Sequence, residues 1–313
     1  MKRFIHLNTV LLSLGALLII FNVGWTIHNA HAAKSSSSQN EAGVYLLLSR
    51  RILVDNPNDM LLNFVSLRES LDNEFNALSV QKSFYFEYLP TGTEIHIGQN
   101  NELVAASLIK VPLTMNLYMA AELGKVNLDK PVTITQSELD PGYGNLWEKG
   151  AGTQITLRQA AKLALSQSDD TAAHVIFDNT QNLLTPSQQS LNQLDVDQNI
   201  QNGEAVIDAM SYSSVFKSLY FSSYLQPKDS EAILEYLSHS DDNSRITAKL
   251  PKNITVARKI GVFNTSWSES DCGIVYVPSR PYIFCAMVGL PEDQANTFIA
   301  NISKQVYDYV ISQ

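Results

Sequence analysis

Segments with a strand pattern occur near both ends of the chain, whereas its middle is helical in pattern. Residues 82–98 contain an aromatic-rich run, a Pro/Gly turn and an alternating run, which together predict a β-hairpin. Three further strands, joined by turns, are predicted at 254–264, 271–278 and 281–290. Strands from the two ends of a chain can pair in one antiparallel sheet, so this order predicts an α+β fold.

Helices complete the predicted arrangement. Apolar residues recur at helical spacing in 60–78, before the hairpin, and in 292–312, after the last strand. We expect these two helices on one face of the sheet, and the middle helices in a second lobe with a cleft between. The middle helices are predicted at 107–124, 156–167, 169–178, 211–225 and 228–240, and the Gln- and Asn-rich residues 179–205 are predicted to be the least regular part.

The N-terminal residues carry a targeting signal. Lys2 and Arg3 precede an almost wholly apolar run, 9–27, whose length is near the ~20 residues that span a bilayer. This run predicts a membrane anchor or an export signal cleaved near Ala32, among small residues. We favour the anchor because the run is long for a cleaved signal. In both cases the rest of the chain is expected outside the cytoplasm, anchored by 9–27 or secreted.

The remaining sequence predicts one folded domain. We assign 1–32 to the anchor or signal, 33–59 to a polar linker and lead-in segment, and 60–313 to the domain. The formal net charge is −9 and no stripe of Lys and Arg is visible, which argues against a nucleic-acid partner.

The chain has two cysteines, Cys272 and Cys285, which flank two strand-like runs around a Pro-Ser-Arg-Pro turn. A hairpin would place them near each other across the ladder. A disulfide outside the cell and a pair of buried thiols are equally compatible with this pattern. No Cys-x-x-Cys or His-x-x-x-His spacing occurs after the N-terminal segment, so neither a metal nor a cofactor is predicted.

A serine and a lysine, Ser107 and Lys110, stand three residues apart in the otherwise apolar stretch AASLIKVPLTMN. At a helix start this spacing puts both side chains on one face, one turn apart. A serine hydroxyl is a poor nucleophile unless a base takes its proton, and a desolvated lysine can be that base. Pro112 lies too deep for the usual first-position proline, which predicts a distorted first turn. Taken alone, the pair is common, and a solvated helix face explains it more simply.

Two other short motifs accompany the pair. QSDDTAAH places Ser168, Asp169 and Asp170 at the junction of two predicted helices, and RKIGVFN places Lys259 and Gly261 on a predicted strand. Ser-x-x-Lys, Ser-Asp-Asn and Lys-Thr-Gly form the motif set of class A β-lactamases and penicillin-binding proteins. From about residue 60 onward the chain resembles that superfamily. The resemblance implies a β-lactamase/transpeptidase-like fold with the active site between the sheet and the helical lobe.

The resemblance also implies roles in catalysis for four residues. Ser107 is expected to be the acylated nucleophile, and Lys110 its general base or a partner in a proton relay. Ser168 is expected to pass a proton towards the leaving nitrogen. Lys259 is expected to supply positive potential for a substrate carboxylate and to hold the proton network of Ser168.

Further residues are expected to line the substrate. The resemblance implies an oxyanion hole formed by the backbone N–H groups of Ser107 and Val262, next to Gly261. It places Asp170 in the substrate-binding set. Tyr143, in PGYGN, is expected to form an aromatic wall of the cleft, although a loop tyrosine with no role fits nearly as well.

Three positions depart from the family pattern. Asp170 stands where the family usually has Asn, and its charge would favour the protonated form of Lys110. Ile260 replaces the usual Thr or Ser, which removes a hydroxyl that contacts the substrate carboxylate. The glutamate that deacylates class A β-lactamases has one candidate here, Glu204, although a charged residue on a solvated turn is the simpler interpretation.

Three functions remain open from the sequence. The first is a penicillin-binding D,D-peptidase, an acyl transferase on peptidoglycan-type peptides that β-lactams trap. The second is a true class A β-lactamase that hydrolyses β-lactams. The third is a cell-surface binding module that has lost catalysis, for which Asp170 and Ile260 would be signs of decay.

Overall fold

A computed structural model describes residues 45–49, 62–98, 101–196 and 198–313. The chain divides into residues 1–46 and 47–313, and the second unit contains every helix and strand discussed below. The predicted anchor at 9–27 and the cleavage site near Ala32 lie outside the described residues. Within those residues, no helix combines the length and the apolar character needed to cross a membrane.

Eight helices and ten strands are described in unit 47–313. The strands are β1 (Lys82–Tyr88), β2 (Thr93–Ile97), β3 (Leu103–Val104), β4 (Pro131–Thr133), β5 (Gln154–Thr156), β6 (Asn199–Gln201), β7 (Glu204–Ile207), β8 (Val256–Phe263), β9 (Ser268–Val275) and β10 (Tyr282–Val288). The helices are α1 (Val65–Asn76), α2 (Lys110–Glu122), α3 (Leu157–Ser166), α4 (Asp170–Thr180), α5 (Ser190–Gln193), α6 (Ala209–Phe221), α7 (Pro227–Ser238) and α8 (Glu292–Ser312).

The main sheet takes strands from both ends of the chain, as predicted. Its five strands lie in the order β2-β1-β10-β9-β8, and every neighbouring pair is antiparallel. The α+β fold class is therefore confirmed. Strand β8 forms one edge of this sheet, and the site described below lies along that edge.

The first and last helices pack together on one face of the main sheet. Phe75 of α1 lies 5.0 Å from Phe84 of β1 and 5.0 Å from Phe298 of α8, measured between ring centroids. These rings belong to a core that also takes Leu71 from α1 and Ile302 from α8. Burying each large apolar side chain contributes roughly 1.5–3 kcal/mol, so this face anchors both ends of the domain.

The middle of the chain is helical, as predicted, and one of its helices begins with a threonine cap. The Thr156 side chain accepts a hydrogen bond from the Gln159 N–H at 3.1 Å, which caps α3. The helix predicted at 60–78 is shorter, because α1 runs from Val65 to Asn76.

Residues 179–205 are more ordered than the sequence suggested. They contain a 3₁₀ turn, the short helix α5 and a hairpin of β6 and β7, and β7 pairs with β3 just before Ser107. The Gln- and Asn-rich composition conceals these elements because they are only a few residues long. Through β7, this segment therefore contacts the strand that leads into the start of α2.

Cys272 and Cys285 are joined by a disulfide. They are direct partners across β9 and β10, and both are fully buried. The structure thus decides between the two alternatives in favour of the disulfide, which ties two central strands of the main sheet together.

Candidate active site

The residues that carry Ser107 form a tight turn before α2. Ala106–Ile109 is a 3₁₀ turn, and the α-helix begins only at Lys110, which makes Pro112 its third residue. This is the distorted first turn that the proline predicted. Ala106 has φ of +47°, a left-handed value that L-residues with a side chain seldom adopt. Such strain persists where surrounding structure enforces it, and it is concentrated at functional sites.

Two contacts from other elements hold this turn. The Ala105 N–H donates to the Ala205 carbonyl of β7 at 2.8 Å. The Tyr212 hydroxyl of α6 donates to the Leu108 carbonyl, also at 2.8 Å, in a fully buried position. Sequence analysis did not single out Tyr212, since nothing local in an amphipathic helix marks a tyrosine whose hydroxyl reaches another element.

Lys110 points into the protein and contacts the loop between α3 and α4. Its Nζ lies 2.5 Å from the Ser168 carbonyl oxygen, 3.1 Å from Ser168 Oγ and 2.6 Å from Asp170 Oδ1. Only 4% of the residue is exposed. Burial lowers the pKa of Lys110, and the hydrogen bond and charge of Asp170 oppose that shift.

The loop that carries Ser168 is fixed by its neighbour Asp169. One Asp169 oxygen caps α4 by accepting the Ala172 N–H at 2.8 Å, and the other accepts the Leu146 N–H at 2.9 Å. A Cβ at Gly144 would overlap this second oxygen, so the loop before Leu146 needs a glycine there. Ser168 itself has φ of +56°, a second left-handed residue in the site.

Asp170 links the lysine to the rim of the cleft. While Oδ1 binds Lys110, Oδ2 accepts the Tyr143 N–H at 2.7 Å, and the Asp170 N–H donates to the Tyr143 carbonyl at 2.9 Å. Both carboxylate oxygens are thus used within the protein. Its contacts position Lys110 and Tyr143, and its predicted place in the substrate-binding set stays a prediction.

Lys259 approaches Ser168 from the opposite side. It lies on β8 and is 2% exposed, and its Nζ is 2.9 Å from Ser168 Oγ and 3.0 Å from the Ile260 carbonyl. Burial first, and then the charge of Lys110, place the pKa of Lys259 well below its usual value. The Ser168 hydroxyl therefore lies between two lysine amines, within hydrogen-bond distance of both.

Gly261 lets β8 approach the nucleophile turn closely. A Cβ there would come within 2.5 Å of Ser270 Oγ and 2.9 Å of the Ala105 carbonyl oxygen, distances that a real side chain does not tolerate. The next residue is Val262, whose N–H was predicted to share an oxyanion hole with that of Ser107. Gly261 was predicted to bind substrate, and the geometry gives it a role in close packing as well.

A buried arginine binds backbone carbonyls of β8 and of its neighbour β9. Arg245 donates to the Gly261 carbonyl at 3.0 Å and to the Ser270 carbonyl at 2.7 Å, and it pairs with Glu269. A fully buried arginine needs such partners. Sequence analysis missed Arg245 because its partners lie far away in the chain and its burial leaves no local signal.

Lys259 and Ser168 open onto a small cleft of about 280 Å³. Tyr143 stands at its rim, 44% exposed, which agrees with the predicted aromatic wall without testing it. The lining includes Tyr143, Ser168, Asp241, Asp242, Lys259 and Ile260. A cleft with a hydroxyl between two amines is suited to moving a proton to and from a bound substrate.

Glu204 lies elsewhere. It is exposed on β7 and lines a separate groove of about 560 Å³, together with Glu102, Phe263 and Trp267. Within the described residues, its carboxylate makes no hydrogen bond to Ser107 or to the two lysines. The structure therefore brings Lys110, Lys259 and Asp170 together with Ser168 and leaves Glu204 outside that group.

Comparisons with known proteins identify the fold. Solved structures of PBP-A superpose with a TM-score of 0.72 at 22% identity, covering 80% of this chain and 97% of that one. A PBP-A mutant, solved as an acyl-enzyme complex with penicillin G, gives the same TM-score at 21% identity, covering 79% and 97%. A β-lactamase from Chitinophaga pinensis superposes with a TM-score of 0.71 at 20% identity, covering 78% and 98%. At these identities the likeness establishes the fold.

One relative found by sequence similarity is named as a regulatory protein. The β-lactamase regulatory protein BlaB of Streptomyces cacaoi is 28% identical over 121 residues. The match covers 38% of this chain and 39% of BlaB, so the chain spans well under half of that protein. A family model, by contrast, matches residues 66–310, which include every residue of the candidate site. The chain therefore belongs to the β-lactamase enzyme family.

Proposed function

We propose that the chain is an active-site-serine acyl transferase of the D,D-peptidase kind. It forms an acyl-enzyme at Ser107 with peptidoglycan-type peptides and with β-lactams. The observation that carries this proposal is that Lys259 and Lys110, which lies three residues after Ser107, both contact the Ser168 hydroxyl. A buried hydroxyl between two amines can take up a proton and return it, as acyl transfer from an amide requires.

The proposal places the enzyme outside the cytoplasmic membrane. The buried disulfide supports this, because disulfides persist in oxidising compartments. The apolar run at 9–27 supports it independently, as an anchor or as a signal cleaved near Ala32.

A long-lived acyl-enzyme is part of the proposal. Release needs a base that activates water, and the Asp170 carboxylate is already bound to Lys110 and Tyr143. Glu204 lines a different groove. The acyl-enzyme of the PBP-A mutant with penicillin G is a structural precedent on the same fold. A true class A β-lactamase, with Glu204 as the deacylating base, would instead turn β-lactams over.

A second candidate is a binding module without turnover. Its support is the similarity to a β-lactamase regulatory protein, together with Asp170 and Ile260 in place of the family residues. Such a module would bind peptides or β-lactams through the same cleft without forming a covalent bond.

Labelling with a fluorescent penicillin separates these functions. The proposal expects labelling of the wild type and none of Ser107→Ala, because the alanine has no nucleophile. Hydrolysis of nitrocefin then distinguishes the two enzymes: a stoichiometric burst supports the D,D-peptidase, and fast multiple turnover supports the β-lactamase. A wild type that binds the penicillin but leaves no covalent label supports the binding module.

A further inference from the structure

The two lysines of the site differ in the hydrogen-bond acceptors around them. Lys110 Nζ has three, the Ser168 carbonyl, Ser168 Oγ and Asp170 Oδ1, between 2.5 and 3.1 Å away. An ammonium group has three N–H donors and no lone pair. All of its donors are therefore used, and the partner at 2.6 Å is a carboxylate, whose hydrogen bond and charge favour the cation against the burial that lowers the pKa of Lys110.

Lys259 has a different set of partners. Its Nζ contacts the Ile260 carbonyl at 3.0 Å and Ser168 Oγ at 2.9 Å, and in the part of the chain described it forms no ion pair with a carboxylate. A neutral amine fits this set, because it can donate one N–H to the carbonyl and accept the Ser168 proton on its lone pair.

The Ser168 hydroxyl fits the same assignment. Its oxygen accepts from Lys110, so its own proton needs an acceptor. With Lys259 neutral, the Ser168 proton has an acceptor in the Lys259 lone pair, and one of the two Lys259 N–H groups donates to the Ile260 carbonyl.

The charges around Lys259 act in both directions. Lys110 and Arg258 face it and disfavour its protonated form, as does its burial, whereas Asp271 and Asp170 favour that form. The balance lowers the pKa of Lys259 well below its usual value. Two further carboxylates line the same cleft from the segment after α7, Asp241 and Asp242.

We propose that Lys259, rather than Lys110, is the terminal proton acceptor when Ser107 is acylated. Ser168 is the relay between them, and Lys110 is a fixed cation paired with Asp170. This inference rests on the proposed acyl transfer. It reverses the roles that the family resemblance implies for the two lysines, and the reversal follows from the carboxylate at position 170.

The step balances as follows. Ser107 Oγ forms a bond to the substrate carbonyl carbon, whose π electrons move onto oxygen. The Ser107 proton passes to Ser168 Oγ, and the Ser168 proton passes to Lys259 Nζ. When the intermediate collapses, the carbon–nitrogen bond breaks and the leaving nitrogen takes a proton from Ser168. Lys259 returns its proton to Ser168 and is neutral again.

Two arginine variants of the full-length protein test the assignment. Lys259→Arg puts a permanent cation where the proposal needs a neutral amine, and it cannot accept a proton, so the acylation rate should fall by roughly 10²–10⁴-fold. Lys110→Arg keeps a cation beside Asp170, so it should lower the acylation rate less than Lys259→Arg does and leave the pH dependence of acylation in place. The probe is benzylpenicillin, with adduct formation followed by mass spectrometry across pH. The opposite pattern, a tolerant position 259 and an intolerant position 110, overturns the proposal.

If a variant fails to fold, or if both variants lose activity, a direct titration of the two lysines tests the assignment instead. Lysine labelled with ¹³C at Cε reports the protonation of each side chain in the wild type, and the two variants assign the signals. A neutral Lys259 beside a protonated Lys110 at neutral pH supports the proposal, and the reverse overturns it. If benzylpenicillin leaves no adduct on the wild type, the proposed function fails, yet this titration still decides the protonation of the two lysines.

Discussion

At the scale of single residues, the Asp170 carboxylate connects Lys110 to the cleft rim. One oxygen binds Lys110 and the other binds the Tyr143 backbone. The usual asparagine would offer one oxygen and one N–H₂ group, and the N–H₂ group cannot accept a hydrogen bond. The negative charge of Asp170, which asparagine lacks, therefore favours the protonated form of both lysines.

Asp170→Asn tests this charge effect. A nearby carboxylate favours the protonated form of an amine, so removing it lowers the pKa of both Lys110 and Lys259. Acylation that needs a neutral amine should then persist to lower pH, and the acid limb of its pH–rate profile should move downward. The measurement is the acylation rate against pH, with exposed Asp178→Asn on the same helix as control. A limb that stays in place or moves upward contradicts the charge effect.

At the scale of elements, features set by neighbouring residues could be predicted from the sequence, whereas strand pairings of only two residues could not. The Thr156 cap, the hairpin of β1 and β2, and the distorted start of α2 follow from neighbouring residues, so they could be predicted. The pairing of β7 with β3 involves two residues on each strand, far apart in the sequence. Too few side chains take part for a period-2 pattern to be visible.

The Asp169 cap is the element-scale contact on which the site depends most. Asp169→Ala leaves the Ala172 and buried Leu146 N–H groups without their acceptor, which should lower the free energy of unfolding by about 2–4 kcal/mol. Thr156→Ala, the matched cap of α3, should cost only about 1 kcal/mol. Urea unfolding compares the two. Equal losses would show that the Asp169 contact to Leu146 contributes nothing.

The disulfide between β9 and β10 should stabilise the domain. It links residues 13 apart, so the double variant Cys272→Ala/Cys285→Ala should lose about 2–4 kcal/mol of unfolding free energy. Urea unfolding without reductant measures the loss, and reductant should destabilise the wild type but not the double variant. Identical unfolding midpoints for the two proteins would contradict this contribution.

At the scale of the whole molecule, the site forms where three distant parts of the chain meet. These are the turn before α2, the loop between α3 and α4, and the edge strand β8. Their motifs and their order were visible in the sequence, as was the sheet built from both ends. The supports from Tyr212 and Arg245 were not, because each acts on backbone atoms of a distant element and leaves no pattern among its own neighbours.

Gly261→Ala tests the closeness of this meeting. The added Cβ would overlap Ser270 Oγ and the Ala105 carbonyl, so β8 must shift away from the nucleophile turn. Since small displacements in an active site are costly, acylation should fall by roughly 10²-fold while the protein stays folded. Gly289→Ala is the matched control, because its Cβ would meet no atom closer than 3.4 Å. Equal acylation by both variants would contradict the close approach.

The central claim is that Ser107 becomes acylated and stays so. Time-resolved mass spectrometry of the full-length protein with benzylpenicillin, followed by peptide mapping, measures the adduct, its position and its lifetime together. The account predicts one adduct per chain, on the peptide that contains Ser107, absent from Ser107→Ala and still present after the free penicillin is removed. An adduct that also forms on Ser107→Ala, or a wild type that acquires none, would contradict it.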